Sequence, residues 1–199
     1  MSKLRLNCIL LSAILFIMLL PLPGSAEGEN LFVNPGFEEL NSEGLPVGGE
    51  TDAYRMDEGY TIFKSVEEEG LPEGERCVSI QNVATNDARF SQTVDVEPES
   101  LYRFSGYIKA ENIKEGHGAN LSIEGLYRFS ESVYSTDGAW QYVEWYGETG
   151  EDQTSVTLFV RVGGYSGESR GKAWFDGLAL EKVDEVPGDI VADLWYKER

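Results

Sequence analysis

Short runs of alternating apolar and polar residues recur along this chain, and each ends at a turn rich in Gly, Asp, Asn or Pro. Alternation with a period of two predicts half-buried β-strands. The clearest run covers residues 101–110, in which Tyr102, Phe104 and Ile108 share one side. No long amphipathic helix pattern separates the runs. The sequence therefore predicts an all-β fold, an antiparallel β-sandwich or jelly roll.

The number of alternating runs between turns predicts eight or nine strands. In a sandwich, side chains of one parity pack between the sheets and those of the other parity face outward. The clearest runs cover residues 61–66, 76–81, 89–96, 101–110, 120–127, 140–146, 154–162 and 172–182. The predicted core residues are Phe104, Ile108, Leu121, Ile123, Val143, Trp145, Leu158, Val160 and Val162.

Residues 1–26 have the pattern of a cleaved export signal. Lys3 and Arg5 give a basic start, an apolar run follows, and small residues allow cleavage after Ala26. A retained membrane anchor is the alternative, but the apolar run is short for a bilayer span of about 20 residues. The mature protein is therefore expected to be secreted or at the cell surface, without membrane insertion. A single domain over 27–183 and a tail or linker over 184–199 are predicted.

The mature chain would be strongly acidic. The full sequence has 16 basic and 35 acidic residues, for a net charge of −19, and losing residues 1–26 would leave 14 basic residues and a charge of −21. Such a surface repels nucleic acid, so no nucleic-acid partner is expected. Cys77 would be the only cysteine, which excludes an intramolecular disulfide and leaves packing or a metal to stabilise the fold.

Five motifs follow one another along the chain. They are Asn-Leu-Phe-Val-Asn-Pro-Gly-Phe-Glu at 30–38, read as the first strand, then residues 90–96, 102–110, 140–143 and 171–176. Together they resemble the motifs of the jelly-roll carbohydrate-binding modules that include families 4, 9, 16 and 22, a galactose-binding-like β-sandwich. The resemblance covers residues 29–183 and implies a non-catalytic domain that binds a cell-wall or extracellular polysaccharide.

The same resemblance implies a structural calcium ion that joins the first and last strands. Glu38 and Asp176 would supply carboxylates, and Gly36 and Gly74 would supply backbone carbonyls. Calcium binds six to eight oxygen ligands of these kinds. The ion is expected to lie away from the sugar site. The alternative is that both acids are ordinary turn or surface residues.

The side chains that point away from the core are predicted to form a sugar-binding face. Aromatic rings offer an apolar plate to the C–H face of a sugar, while charged and polar groups bind its hydroxyls. Cross-strand bracing between neighbouring aromatic residues is the alternative role. Trp140 and Trp174 are assigned to the core, because both sit beside strand starts in apolar company. The predicted ligand-binding residues are Tyr107, Lys109, Glu124, Tyr142, Glu144, Tyr146, Phe159 and Arg161.

No catalytic residue is assigned, and no enzyme is expected. His117 lies in a glycine-flanked turn, and the sequence places no nucleophile beside it. A small hydrolase would need a carboxylate pair such as Glu124 and Glu144 on one face. The remaining alternative is an adhesion or assembly domain that recognises protein, since the tail after Val183 suggests a fused or associated enzyme.

Overall fold

The computed structural model describes residues 28–187, and the predicted signal at 1–26 and most of the predicted tail lie outside this range. Nine β-strands are present in the described part. They are β1 (Glu50–Ala53), β2 (Thr61–Glu67), β3 (Arg76–Asn86), β4 (Ala88–Asp95), β5 (Leu101–Lys114), β6 (Ala119–Ile123), β7 (Gln141–Glu148), β8 (Ser155–Val162) and β9 (Ser169–Lys182).

The strands form two antiparallel sheets that pack face to face. The four-stranded sheet has the order β1-β4-β8-β6, and the five-stranded sheet has the order β2-β3-β9-β5-β7. The predicted all-β sandwich is confirmed. Between residues 28 and 187, no helix has the length and apolar character needed to cross a membrane.

Side chains from both sheets fill the space between them, as the alternation predicts. Burying one such aliphatic or aromatic side chain stabilises the fold by about 1.5–3 kcal/mol, so this layer is the main source of stability. Trp145 is only partly buried and packs against the edge of the cluster. The other predicted core residues are all buried: Phe104, Ile108, Leu121, Ile123, Val143, Leu158, Val160 and Val162.

The start of the described chain lies against the last strand, although it is not itself a strand. The predicted first strand at 30–38 is wrong, because positive φ angles at Asn34 (57°) and Phe37 (58°) break the extended conformation. The segment nevertheless follows β9. The Leu31 N–H donates to the Leu180 carbonyl at 2.8 Å. The predicted proximity of the two ends of the domain is confirmed.

Several strands differ from the prediction, and β3 and β5 are longer than predicted, ending at Asn86 and Lys114. β1 was not predicted, because it has only four residues and three of them are polar. β6 ends at Ile123 and not at Tyr127, since the chain turns at Gly125, whose φ is 81°. The following loop then folds back onto β6 through a bridge between Ser122 and Phe129.

A bulge in β9 shapes the edge of the later candidate site. Between the pairs Tyr107–Asp176 and Ser105–Ala179, β9 has one residue more than β5. Gly177 lies in this bulge with φ of 55°, a left-handed conformation that favours glycine. The extra residue places Asp176 directly opposite Tyr107.

Candidate functional site

Four aromatic side chains lie on the outer face of the five-stranded sheet, and we call them the aromatic platform. Trp174 is on the central strand β9, Tyr107 is on β5, Tyr142 is on β7, and Trp140 is one residue before β7. Ala173 and Phe175 on either side of Trp174 are fully buried in the core, so the alternation turns the indole outward. The assignment of Trp140 and Trp174 to the core is therefore wrong.

The register of the sheet explains how the platform is assembled. Tyr107 is the cross-strand partner of Tyr142, and their rings pack edge to face with centroids 5.3 Å apart. Lys109 is the partner of Trp174. Directly opposite residues share one face of a sheet, so strand pairing alone brings these side chains together. Tyr142 is 45% exposed, and the other three rings are partly exposed.

Lys109 lies between the two indoles and links them. Its Nζ atom is 5.0 Å from the ring centre of Trp140 and 4.9 Å from that of Trp174. It also donates to Glu68 Oε1 at 2.7 Å. Only 8% of Lys109 is exposed, so its charge is neutralised within the protein and its main effect is to hold the rings in place.

Lys172 also contacts Trp174. Its Nζ atom is 4.2 Å from the ring centre of Trp174. Gln81 on β3 is its cross-strand partner, and both side chains are partly exposed. Neither residue was predicted as part of the site. The alternation of side chains along β3 and β9 could have identified both residues, because they point outward on the same face as Trp174.

The predicted ligand-binding residues divide between the two sheets. Tyr107, Lys109, Tyr142 and Glu144 lie on the face that carries the platform. Tyr146 has the same orientation on β7 but is only 4% exposed, and this burial raises its pKa. Glu124, Phe159 and Arg161 belong to the four-stranded sheet or its loops. The expected single face of eight residues does not form.

Arg161 is a buried structural residue. It is 1% exposed, and its guanidinium binds both carboxylate oxygens of Asp87, with an Nε–Oδ1 distance of 2.6 Å. The guanidinium also stacks on Tyr165, 4.3 Å from the ring centre. Phe159 is 3% exposed and lies beneath the guanidinium groups of Arg161 and Arg89. Neither predicted residue presents a surface to a ligand.

Glu124 and Glu144, the carboxylate pair considered for glycoside hydrolysis, also lie on different sheets. Glu144 is on β7 in the five-stranded sheet. Glu124 follows β6 in the four-stranded sheet, and its N–H donates to the Thr157 carbonyl. Retaining and inverting glycosidases place two carboxylates within about 10 Å across the scissile bond. Two acids on different sheets do not share an outer face, so this pair does not provide that arrangement.

Three carboxylates converge where the start of the described chain meets β9, and we call them the acidic cluster: Glu38, Glu73 and Asp176. Asp176 is fully buried, and its Oδ2 atom accepts the Glu73 N–H at 2.9 Å. Its Oδ1 atom is buried and has no hydrogen-bond partner. The pKa of Asp176 is raised to about 7, mainly by burial; backbone hydrogen bonds oppose this rise, and the negative charges of Glu73 and Glu38 add to it. Burial and Glu38 also raise the pKa of Glu73.

Two glycines make room for these carboxylates. A side chain at Gly74, whose φ is 61°, would place its Cβ 2.0 Å from Glu38 Oε1. A Cβ at Gly36 would lie 3.0 Å from Glu73 Cγ. Glu38 Oε1 accepts the N–H groups of Glu75 and Arg76 at 2.7 and 2.9 Å. Glu73 was missed in the sequence, although it directly precedes Gly74 in the predicted turn.

The acidic cluster borders the aromatic platform. Asp176 is the cross-strand partner of Tyr107, and a Cβ at Gly177 would lie 3.2 Å from the Tyr107 ring and 3.8 Å from Glu73 Cβ. The two predicted sites therefore adjoin. Within residues 28–187, no group of three or more His, Cys, Asp or Glu side chains is arranged so that it could hold a metal ion. Any cation here would also need backbone oxygens.

Comparison with known proteins supports the fold. No protein-family model matches the chain, and no curated protein matches it significantly. A family 61 carbohydrate-binding module, solved in complex with β-1,4-galactotriose, matches with a TM-score of 0.55 and 20% identity over 77% of this chain and 99% of that one. A putative sugar-binding protein from Bacteroides thetaiotaomicron matches with a TM-score of 0.54 and 14% identity over 78% of this chain and 100% of that one.

A third solved structure has the same fold within a larger protein. It is the enzymatically active domain of tailspike protein 4 from bacteriophage CBA120, with a TM-score of 0.57 and 11% identity. The match covers 77% of this chain but only 21% of the tailspike chain. At these identities the likeness concerns architecture. The chain has the two-sheet jelly-roll fold that is found in carbohydrate-binding modules.

Proposed function

We propose that this chain is a non-catalytic carbohydrate-binding domain that holds a polysaccharide on the aromatic platform. The observation that carries the proposal is that four aromatic side chains share one outward face of the five-stranded sheet. Contiguous exposed apolar surface on a small domain usually marks a binding site. Here the surface lies among groups that can form hydrogen bonds with hydroxyls.

The platform provides both kinds of contact that a sugar requires. Trp174 and Tyr142 offer ring faces for the C–H groups of pyranose rings, and Lys109 holds Trp174 in place. Gln81, Lys172 and Glu144 surround the rings with donors and acceptors that can orient hydroxyl groups. An open sheet face of this kind suits a chain of sugars better than a single small molecule.

The comparisons support the ligand class. The family 61 module was solved with β-1,4-galactotriose, and the Bacteroides protein is described as sugar-binding. We extend this ligand class to the present chain as a polysaccharide of a cell wall or extracellular matrix. The predicted export signal at residues 1–26 would deliver the domain to such a polymer at the cell surface or outside the cell. A fused or associated glycan-processing enzyme is the expected partner.

We further propose that the acidic cluster holds a structural calcium ion. Asp176 Oδ1 is a buried oxygen without a hydrogen-bond partner, which calcium would satisfy. Glu38, Glu73 and Asp176 form no ion pair with a basic side chain in the described part of the chain. Backbone carbonyls of Gly36 and Gly74 would complete the ligand set. The ion would offset two of the three negative charges of the cluster and join the start of the domain to β9.

Replacing Trp174 with Ala should weaken polysaccharide binding by at least about 30-fold, because truncating a central aromatic contact typically costs about 2 kcal/mol or more of binding energy. Affinity electrophoresis against a panel of neutral and acidic polysaccharides, followed by calorimetry with the best ligand, would measure this. Tyr142→Ala should act in the same direction. Unfolding curves would verify that both variants fold.

Tyr54→Ala is the matched control. Tyr54 is 69% exposed and follows β1 in the other sheet, so its removal should leave the affinity unchanged. Equal affinity of Trp174→Ala and the parent would place binding elsewhere. Binding to no polysaccharide, together with capture of a protein partner that depends on Trp174, would support an adhesion domain instead.

A further inference from the structure

The basic residues of this chain are few, yet several gather around one ring. The sequence has 16 basic and 35 acidic residues. Lys109 and Lys172 both contact the Trp174 indole. Lys64 lies in the same cross-strand row, because Lys64 pairs with Ser79 and Ser79 pairs with Trp174. Strands lie about 4.8 Å apart, which puts Lys64 about 10 Å from Trp174 across the sheet.

These lysines differ in whether their charge is already neutralised. Lys109 is buried and bound to Glu68, so it has little to offer a ligand. Lys172 and Lys64 form no ion pair with any of residues 28–187, and both are at least partly exposed. Two cationic groups without a protein partner therefore remain on this part of the face.

Most acidic side chains on the same face lie away from Lys172 and Lys64. Glu144 is on β7, beyond Lys109, and the acidic cluster borders Tyr107. Glu111 is the cross-strand partner of Lys172, but it is exposed and accepts a hydrogen bond from Asn112 at 3.3 Å. The platform is thus acidic near Tyr107, whereas near Trp174, within residues 28–187, the two unpaired lysines outnumber the one unpaired exposed acid, Glu111.

We propose that the bound polysaccharide is acidic and contains uronic acid residues, with Trp174 stacking on a pyranose ring and Lys172 and Lys64 binding its carboxylates. This inference rests on the proposed carbohydrate-binding function. A uronate carries its carboxylate at the edge of the ring. The Lys172 ammonium lies over the indole, 4.2 Å from its centre, and its flexible, partly exposed side chain would swing aside to meet that carboxylate when a sugar stacks on the ring. Hydrogen bonds between charged groups are roughly twice as strong as neutral ones, so the carboxylate would contribute to selectivity.

The test compares matched ligands that differ only in the carboxylate. Short oligogalacturonates, oligoalginates and oligosaccharides of glucuronoxylan would each be titrated beside their carboxyl-reduced counterparts, at one calcium concentration. Calorimetry should show at least one uronate bound about tenfold more tightly than its reduced form, as expected for a charge-assisted hydrogen bond. The preference should shrink as the salt concentration rises.

The variant Lys64→Gln/Lys172→Gln should lose this preference, so that a uronate and its reduced form bind with nearly equal affinity. Lys114→Gln is the control, because it removes one positive charge from an exposed position at the end of β5. Equal binding of every uronate and its reduced form, with both still weakened by Trp174→Ala, would overturn this inference and leave the proposed function standing. Absence of binding to all charged and neutral ligands would overturn both.

Discussion

Replacing Arg161 with Ala should lower the free energy of unfolding by about 3–5 kcal/mol, because it removes the main counter-charge of the buried Asp87 carboxylate and leaves only Arg89 Nη1 near it, at 3.5 Å. Asp87 is 5% exposed, and both of its oxygens bind the Arg161 guanidinium. The stacking contact with Tyr165 would be lost as well. Urea unfolding followed by tryptophan fluorescence would measure the change.

Two comparisons make the Arg161 result specific. Arg89→Ala should cost less, since one of its partners, Asp52, is half exposed and can be solvated by water, and the other, Asp87, would keep its shorter contacts with Arg161. The double variant Arg161→Met/Asp87→Asn should recover much of the lost stability, because neither charge remains buried. A loss below about 1 kcal/mol in Arg161→Ala would contradict a structural role for this ion pair. Under conditions where the variant is folded, its polysaccharide affinity should equal that of the parent.

Replacing Asp176 with Asn should have opposite effects on stability with and without calcium. Without calcium, the parent carries a carboxyl group whose pKa rises from 3.8 to about 7 on folding. The folded state then binds the proton more tightly than the unfolded state. Unfolding free energy should therefore fall as the pH rises from about 4 to about 7, by up to about 4 kcal/mol. Asp176→Asn lacks this carboxyl and should lose most of that dependence, so at pH 8 it should be the more stable of the two calcium-free proteins.

Calcium should reverse this order. A ligand at about 100 times its dissociation constant stabilises the folded state by about 2.7 kcal/mol, and the parent should gain this amount. Asp176→Asn should gain little, since it lacks the buried carboxylate that the ion would bind. Thermal unfolding in EGTA and in excess calcium would measure both proteins, with Asp95→Asn as a control at an exposed acid. Equal stabilisation of parent and Asp176→Asn by calcium would exclude the acidic cluster as the site.

The prediction of the core was accurate because alternation is a local property. Phe104 and Ile108 on β5 and Leu158 and Val160 on β8 face inward as expected, since successive side chains on a strand point to opposite sides. The same reasoning failed for the binding face. Parity identifies which residues face outward but does not identify the sheet to which a strand belongs, so Arg161 was grouped with Tyr107.

The two tryptophans show a related limit of predicting side-chain orientation from the sequence. Trp174 is flanked by Ala173 and Phe175, and hydrophobicity alone suggests burial for all three. Parity would have placed Trp174 on the opposite side from Phe175, had Phe175 been assigned to the core first. Glu73 shows a different limit, because its approach to Asp176, 103 positions along the chain, depends on how a loop closes.

The order of residues along the chain determined that this protein is a β-sandwich and which side chains fill its interior, because strand periodicity and turn chemistry act over a few residues. Strand pairing between distant segments decided everything that concerns a site. It placed Lys109 and Lys172 against Trp174, brought Asp176 close to the segment that carries Glu38, and buried Arg161 against Asp87. Those contacts depend on register and sheet membership, which arise only when the whole sandwich closes.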